Sequence, residues 1–288
     1  MFGQILFSGL ALGSIYGLVA LGFAVIFKAT DVFNFAQGMF VVSGAYLAVT
    51  AIVLLKLPFP LAVLFIIAGA ALLGMAIQAT FIQRLSGRSI LAIIMLTIAL
   101  SIVMRSLIEI MFGPAGRTLT TALPTGSFAF AGLRISELHL TAALVSWACM
   151  LLFGGFFRFT AVGLLMRATA DNHEAATICG IRVGWMNRFA WGIGFVLAAI
   201  GGVFLGQLQI VSTELESIGL LALPAVVIGG MQSIPGAIVG GLLVGLVEQF
   251  ASVYISPKSA DVVIYLILLL ILMVRPWGLL GQRQVNRV

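Results

Sequence analysis

The chain has 288 residues, 62% of them hydrophobic and only 8% charged, with a mean hydropathy of +1.22. That composition excludes a soluble globular domain. Repeated apolar runs of about 20 residues predict a polytopic α-helical membrane protein, and because they are continuous rather than alternating they exclude a β-barrel. The formal net charge of +6 does not point to nucleic acid, because the basic residues sit singly at the ends of apolar runs.

In chain order, a first span is expected over residues 5–27. It carries Gly9-x-x-x-Gly13-x-x-x-Gly17, which lines one helix face where a second helix can approach closely. No charged segment precedes it, so it is expected to be retained rather than removed as a signal peptide. Residues 31–38 then lead into a second span over 39–55 and contain Asn34 and Gln37. Amides at membrane depth are costly unless paired or facing water. Both are therefore candidates to line a translocation pathway, to brace the backbone beside it, or to cap the helix. A third span covers 59–82, Arg84 and Arg88 form a basic turn, and a fourth span covers 90–112. Arg105 and Glu109 stand one turn apart on the fourth, spaced to pair with each other or to snorkel. Residues 113–137 read as a Gly-, Pro- and Thr-rich loop, followed by a fifth span over 138–157 with His139 as an interfacial side chain.

Residues 158–188 are polar and carry both charge signs. Within them, 163–180 predicts two short helical turns joined at 170–172. Asp171 is placed to N-cap the second, with Glu174 completing a capping-box variant. Ala175 and Ala176 give a flat surface, and Gly180 falls where a C′ glycine ends a helix. Isolated helices under about 12 residues are marginal in water, so something must hold this one.

A sixth span is expected over 189–211, and 212–217 holds Glu214 and Glu216 without a basic residue. Residues 219–250 split at Gly229-Gly230-Met231-Gln232-Ser233-Ile234-Pro235-Gly236. The halves, 220–228 and 237–250, each read as short for a full crossing. Broken helices in transporters place free backbone groups at a cavity, so Met231, Gln232 and Ser233 are expected near the pathway. Gly236-x-x-x-Gly240 and Gly241-x-x-x-Gly245 line the second half, and a last span covers 262–274.

The expected fold is an all-α polytopic membrane protein: about eight transmembrane helices plus a broken, re-entrant hairpin that enters and leaves from the outer side. It forms one transmembrane domain over 1–288, with 158–188 as a cytoplasmic loop. Placing that loop inside puts Lys28, Arg84, Arg88, Arg158, Arg167, Arg182, Arg188, Arg275, Arg283 and Arg287 inside, against Lys56, Arg117, Arg134 and Lys258 outside. The N-terminus is then outside and the C-terminus inside. None of the three lysines follows a glycine, so the phosphate-cradling loop of an ATPase is missing. His139 and His173 are expected on opposite sides of the bilayer, and no catalytic residue, metal ligand set or cofactor motif is visible.

Glu174-Ala175-Ala176-Thr177-Ile178-Cys179-Gly180 resembles the Glu-Ala-Ala-x-x-x-Gly signature of ABC importer permeases, the coupling helix that docks on the ATPase. Four further stretches resemble branched-chain amino-acid permeases: 163–172, Asn34-Phe35-Ala36-Gln37-Gly38, Gly229 through Gly241, and Arg275-Pro276-Trp277-Gly278-Leu279-Leu280-Gly281. Gln37 replaces the family's His, so that position cannot titrate near neutral pH. The resemblance covers nearly the whole chain. It implies a non-catalytic permease subunit of an ATP-driven importer in the bacterial inner membrane, coupled to the ATPases through Arg167, Asp171, Glu174, Ala175 and Gly180. It also implies partners: a homologous permease subunit as heterodimer, two cytoplasmic ABC ATPases and an external, periplasmic substrate-binding protein. Leucine, isoleucine and valine lead as substrates; other amino acids, short amides and urea are carried by related systems. An ion-coupled secondary carrier or a channel would explain the broken helix equally well, but not residues 174–180. An intramembrane enzyme would need a nucleophile–base pair that is not visible.

Overall fold

A computed structural model describes residues 2–85, 88–119, 126–130 and 133–281. Arg283 and Arg287, counted above on the inner side, lie outside the described residues. The helices are α1 (Phe2–Thr30), α2 (Gln37–Ala48), α3 (Phe59–Ile77), α4 (Ile90–Phe112), α5 (Glu137–Phe159), α6 (Ala161–Asp171), α7 (His173–Ile178), α8 (Val183–Leu208), α9 (Leu215–Leu220), α10 (Ala222–Gly229), α11 (Ile234–Tyr254) and α12 (Ala260–Val274). The π-helical turn Val49–Leu54 extends α2, and α3 runs on through a π-helical turn, Gln78–Ile82, to Leu85. Among the described residues eight helices are long and apolar enough to cross a membrane, including Phe2–Thr30, Ile234–Tyr254 and Pro257–Val274. The chain is thus a multi-pass, all-α membrane protein.

Contacts divide it into two compact units. The first comprises Met1–Ala24, Leu123–Trp147 and Leu221–Val288, and the second Val25–Ala122 and Ala148–Leu220.

In the first unit the two glycine series meet. A Cβ on Gly13 would stand 2.8 Å from Leu242 Cα, one on Gly241 2.2 Å from Gly17 Cα, and one on Gly245 2.3 Å from Gly13 Cα. The pairing runs antiparallel, so α1 and α11 lie backbone against backbone, a contact that only small residues permit. The α10–α11 hairpin is built alike: Gly240 faces the Ala225 carbonyl, and Gly229 and Gly236 face each other. The second half of the hairpin is longer than expected. Helix α11 has 21 residues, about 31 Å at 1.5 Å per residue, which is enough to cross unaided. The reason is local: Pro235 lies in its first turn, where no backbone N–H is needed, so it starts α11 rather than breaking a run. The turn at Gly230–Ser233 therefore falls at the end of a full-length helix. The expected loop 113–137 holds, in this unit, the antiparallel pair β1 (Ser127–Phe130) and β2 (Leu133–Ser136), with Ser127 opposite Ser136. The Gln4 amide donates to the Arg134 carbonyl at 2.8 Å.

In the second unit α8 is the central helix, packed by α2 and α3. A Cβ on Gly44 would lie 2.2 Å from Ala199 Cα, one on Gly202 2.0 Å from the Val41 carbonyl oxygen, and one on Gly74 2.5 Å from that of Trp191. Around these contacts Phe40 stacks on Phe195 at 4.1 Å and meets Trp191 edge-on at 6.1 Å. All three side chains are buried.

Gly44→Val tests this packing, because its added atoms meet backbone rather than a movable side chain. Overpacking costs about 1–3 kcal/mol, and the thermal midpoint of the purified protein should fall accordingly. Gly154→Val, where a Cβ meets nothing within 4 Å, should leave the midpoint in place.

Candidate functional site: helix breaks and the short-helix segment

Helices α6 and α7 form the polar segment between α5 and α8. The Thr160 hydroxyl caps α6 by accepting from Gly163 N–H at 3.0 Å. The break before α7 falls at Asn172, whose backbone is extended (φ −158, ψ 109). Asn172 Oδ1 accepts from Ala175 N–H at 2.9 Å, so the cap is Asn172, and Asp171 is the last residue of α6. The expected Asp171–Glu174 capping box is therefore not formed. Only one residue can sit at the extended corner, and the chain turns one position later than the motif suggests. Gly180 takes the C′ role as expected. Its φ is +81, its N–H bonds the Thr177 carbonyl, and Ile181 N–H reaches back to the Ala176 carbonyl, both at 3.0 Å.

Ala176 is buried and anchors α7, whereas Asp171, Glu174, Ala175 and Gly180 are exposed. Ile178 is 87% exposed, a large apolar side chain held out on a capped helix. Arg167 turns the other way. Its guanidinium lies 5.8 Å from the Phe157 ring and donates to the Arg158 carbonyl at 3.3 Å, while Lys28 stands over the same ring at 5.9 Å.

Asn34 and Gln37 are brought together at the break between α1 and α2. The Asn34 amide donates to Gln37 Oε1 at 3.0 Å, and Asn34 Oδ1 accepts from Ala36 N–H at 3.1 Å. Thr97 of α4 accepts from Phe35 N–H at 3.3 Å and lies 3.3 Å from the Phe33 carbonyl. Asn34, Gln37 and Thr97 are fully buried, so in this conformation the two amides brace irregular backbone.

At the α10–α11 turn, Ser233 caps α11 by accepting from Gly236 N–H at 3.1 Å, Gln232 is exposed and Met231 is half-buried. Carbonyls at the end of α10 would be left open. Leu279 N–H bonds the Ile228 carbonyl at 2.8 Å and Leu280 N–H bonds that of Gly229 at 2.9 Å. Gly278 (φ +78) and Gly230 (φ +108) make the close approach possible, since a Cβ on Gly278 would stand 2.6 Å from Gly230 N. Two motifs read separately in the sequence are one piece of structure.

Two clusters escaped the sequence reading. Glu216, at the start of α9, accepts from the Ser101 hydroxyl and pairs with Arg105 at 3.5 Å. Arg105 also pairs with Glu109 at 3.2 Å, as its spacing suggested, and Thr213 donates to Glu109 at 3.1 Å. Gly38 lets α2 rest on the Glu216 backbone carbonyl, 2.5 Å from where a Cβ would be. In the first unit Glu248 of α11 lies close to Tyr16 of α1. The signal for it was one carboxylate in an otherwise apolar run.

Crossing-length helices with glycine-lined contacts, braced helix breaks and a capped, outward-facing short-helix pair define a class: a multi-pass membrane protein of the permease kind. Residues 5–272 match the family described as branched-chain amino acid transport system / permease component, and the chain belongs to that family. It is 30% identical to the high-affinity branched-chain amino acid transport system permease protein LivH of Salmonella typhimurium, over 100% of this chain and 98% of that one. It is also 30% identical to the corresponding protein BraD of Pseudomonas aeruginosa, over 99% and 97%. LivH of Escherichia coli K12 is 29% identical over 100% and 98%.

Asn172→Ala removes the cap of α7 and should cost about 0.5–2 kcal/mol locally. Amide exchange across His173–Ile178 should accelerate accordingly, whereas Glu174→Ala should leave it unchanged.

Proposed function

We propose that this chain is the membrane-spanning permease subunit of an ATP-driven ABC importer for branched-chain amino acids. The observation that carries the reading is the α6–α7 segment, a capped pair of short helices that presents Glu174, Ala175 and a bare Ile178. Short capped helices of this kind are marginal alone, which supports their being held against a partner. The kinship with LivH and BraD, both named as branched-chain amino acid permease proteins, supports the substrate class.

The partners are a homologous permease subunit, two cytoplasmic ATPases and an external substrate-binding protein, assembled in the bacterial inner membrane. Closure of the ATPase pair pushes on α7, and the spans switch between outward and inward access. Glu174, Ala175, Gly180 and Asp171 form the contacting side, and Arg167 ties α6 to the end of α5. The translocation route is assigned to the neighbourhood of the helix breaks, at Asn34 and Gln37 and at Met231, Gln232 and Ser233. Selectivity belongs to the external binding protein, which accounts for the small number of polar side chains in the spans.

Gly180→Trp is the test of coupling. A Cβ on Gly180 meets nothing within 4 Å, so the protein should still insert. The φ of +81 disfavours any L-residue by about 1–2 kcal/mol, and the indole projects from the contacting side. Co-purification of the ATPases and hydrolysis stimulated by loaded binding protein should drop at least tenfold. Wild-type assembly and hydrolysis would remove the coupling assignment. For the route, cysteines at Gln37 and Ser233 should change their reactivity to a small thiol reagent when ATP is trapped. Equal inaccessibility in every state would move the route elsewhere.

A further inference from the structure

In the second unit a cavity of about 310 Å³ opens where the end of α1, the π-helical end of α3, α4, α7 and the start of α8 converge. That volume lies at the lower end of small-molecule sites, which run from about 300 Å³ upward. Its polar lining includes Asp31, Gln78, His173 and Asn187. Gln78 Oε1, His173 Nδ1 and Asn187 Oδ1 are each buried and have no hydrogen-bond partner among the described residues. The whole Gln78 residue is 2% exposed. Buried polar atoms are nearly always paired, with protein or with ordered water, so three beside one cavity mark a polar wall that water or a ligand completes.

The electrostatics choose its sign. Asp31 carries a φ of 51, a region that non-glycine residues seldom enter, and its N–H closes α1 on the Phe27 carbonyl at 2.8 Å. The carboxylate thus sits at a helix C-terminus, itself partially negative. Asp31 makes no ion pair among the described residues. Of the nearby basic groups, Arg188 donates to Gln83 Oε1 at 2.9 Å and lies over Trp185, and Lys28 lies over Phe157. A carboxylate, a helix end and two amide oxygens favour an ammonium group with several N–H donors. The remaining wall is aliphatic, made by Val32, Ile82, Ile93 and Val183.

We propose that this cavity binds a small aliphatic amino acid through its ammonium group, and that its occupancy bears on the coupling segment through His173, the first residue of α7. The identity of this ligand with the transported amino acid, and so a brake by accumulated product on ATP hydrolysis, rests on the importer reading above. The binding chemistry stands on the cavity itself.

The test uses the complete permease–ATPase complex without external binding protein. Cys149→Ser and Cys179→Ser provide the background, and Val183→Cys reports the cavity through its rate of labelling by a small maleimide. L-leucine and 3-methylbutylamine should slow labelling at least tenfold at saturation, and 4-methylpentanoate, which lacks the ammonium group, should not. Asp31→Asn keeps a residue that tolerates positive φ, so the backbone should hold. It should raise the leucine concentration needed for half-protection at least tenfold, and Asn187→Leu should do so independently. Protection by 4-methylpentanoate equal to that by leucine, protection undiminished in Asp31→Asn and Asn187→Leu, or no protection at all would overturn the inference. Protection without ATP-driven leucine uptake would instead fault the importer reading and leave the cavity assignment standing.

Discussion

A backbone that leaves helical geometry where protein buries it has no water to turn to, and each open N–H or C=O must find a partner within the protein. The arrangement around each helix break follows from this constraint. Between α1 and α2, Asn34 and Thr97 supply the acceptors that the backbone N–H groups of Ala36 and Phe35 need. At the other break the open carbonyls of Ile228 and Gly229 are met by the N–H groups of Leu279 and Leu280, and Ser233 caps the helix that follows. Some polar residues of the spans thus stand where the backbone is irregular, while others, such as Arg105 and Glu109 of α4 and Glu248 of α11, stand on regular helices.

The apolar helices still have to hold together in a solvent as apolar as themselves. Burial from water gives little there, and close packing must supply the stabilisation. In each unit it comes from glycine facing backbone: α1 against α11 in the first, α2 and α3 against α8 in the second. Aromatic side chains fill the space beside the close contacts, as Phe40, Trp191 and Phe195 do next to Gly44 and Gly202.

Features governed by local sequence were legible. The glycine series identified close-packing faces, Gly180 marked the end of α7, and the Arg105–Glu109 pair followed from its spacing. Two local readings slipped by small amounts. Asp171 and Asn172 are neighbouring residues of similar capping ability, and only the extended backbone at Asn172 decides between them. Pro235 reads in the sequence as a breaker, but its place in the helix depends on where the cap falls, and Ser233 sets that. What could not be read were pairings between residues far apart in the chain. Glu216 meets Ser101 and Arg105, the 275–281 motif meets the end of α10, and the groups lining the cavity come from distant segments. No periodicity within a window records such meetings.

The α10–α11 hairpin and its cover also impose an order on biogenesis. The carbonyls of Ile228 and Gly229 leave the ribosome well before the amides of Leu279 and Leu280 that satisfy them, and Gly9–Gly17 emerge long before Gly241–Gly245. The first unit therefore cannot mature as its segments insert one by one. Its early helices wait in the membrane with a bare glycine face and are locked only by late-translated partners. A nascent chain of this kind exposes that face for most of its synthesis, when pairing with a wrong helix competes with correct assembly.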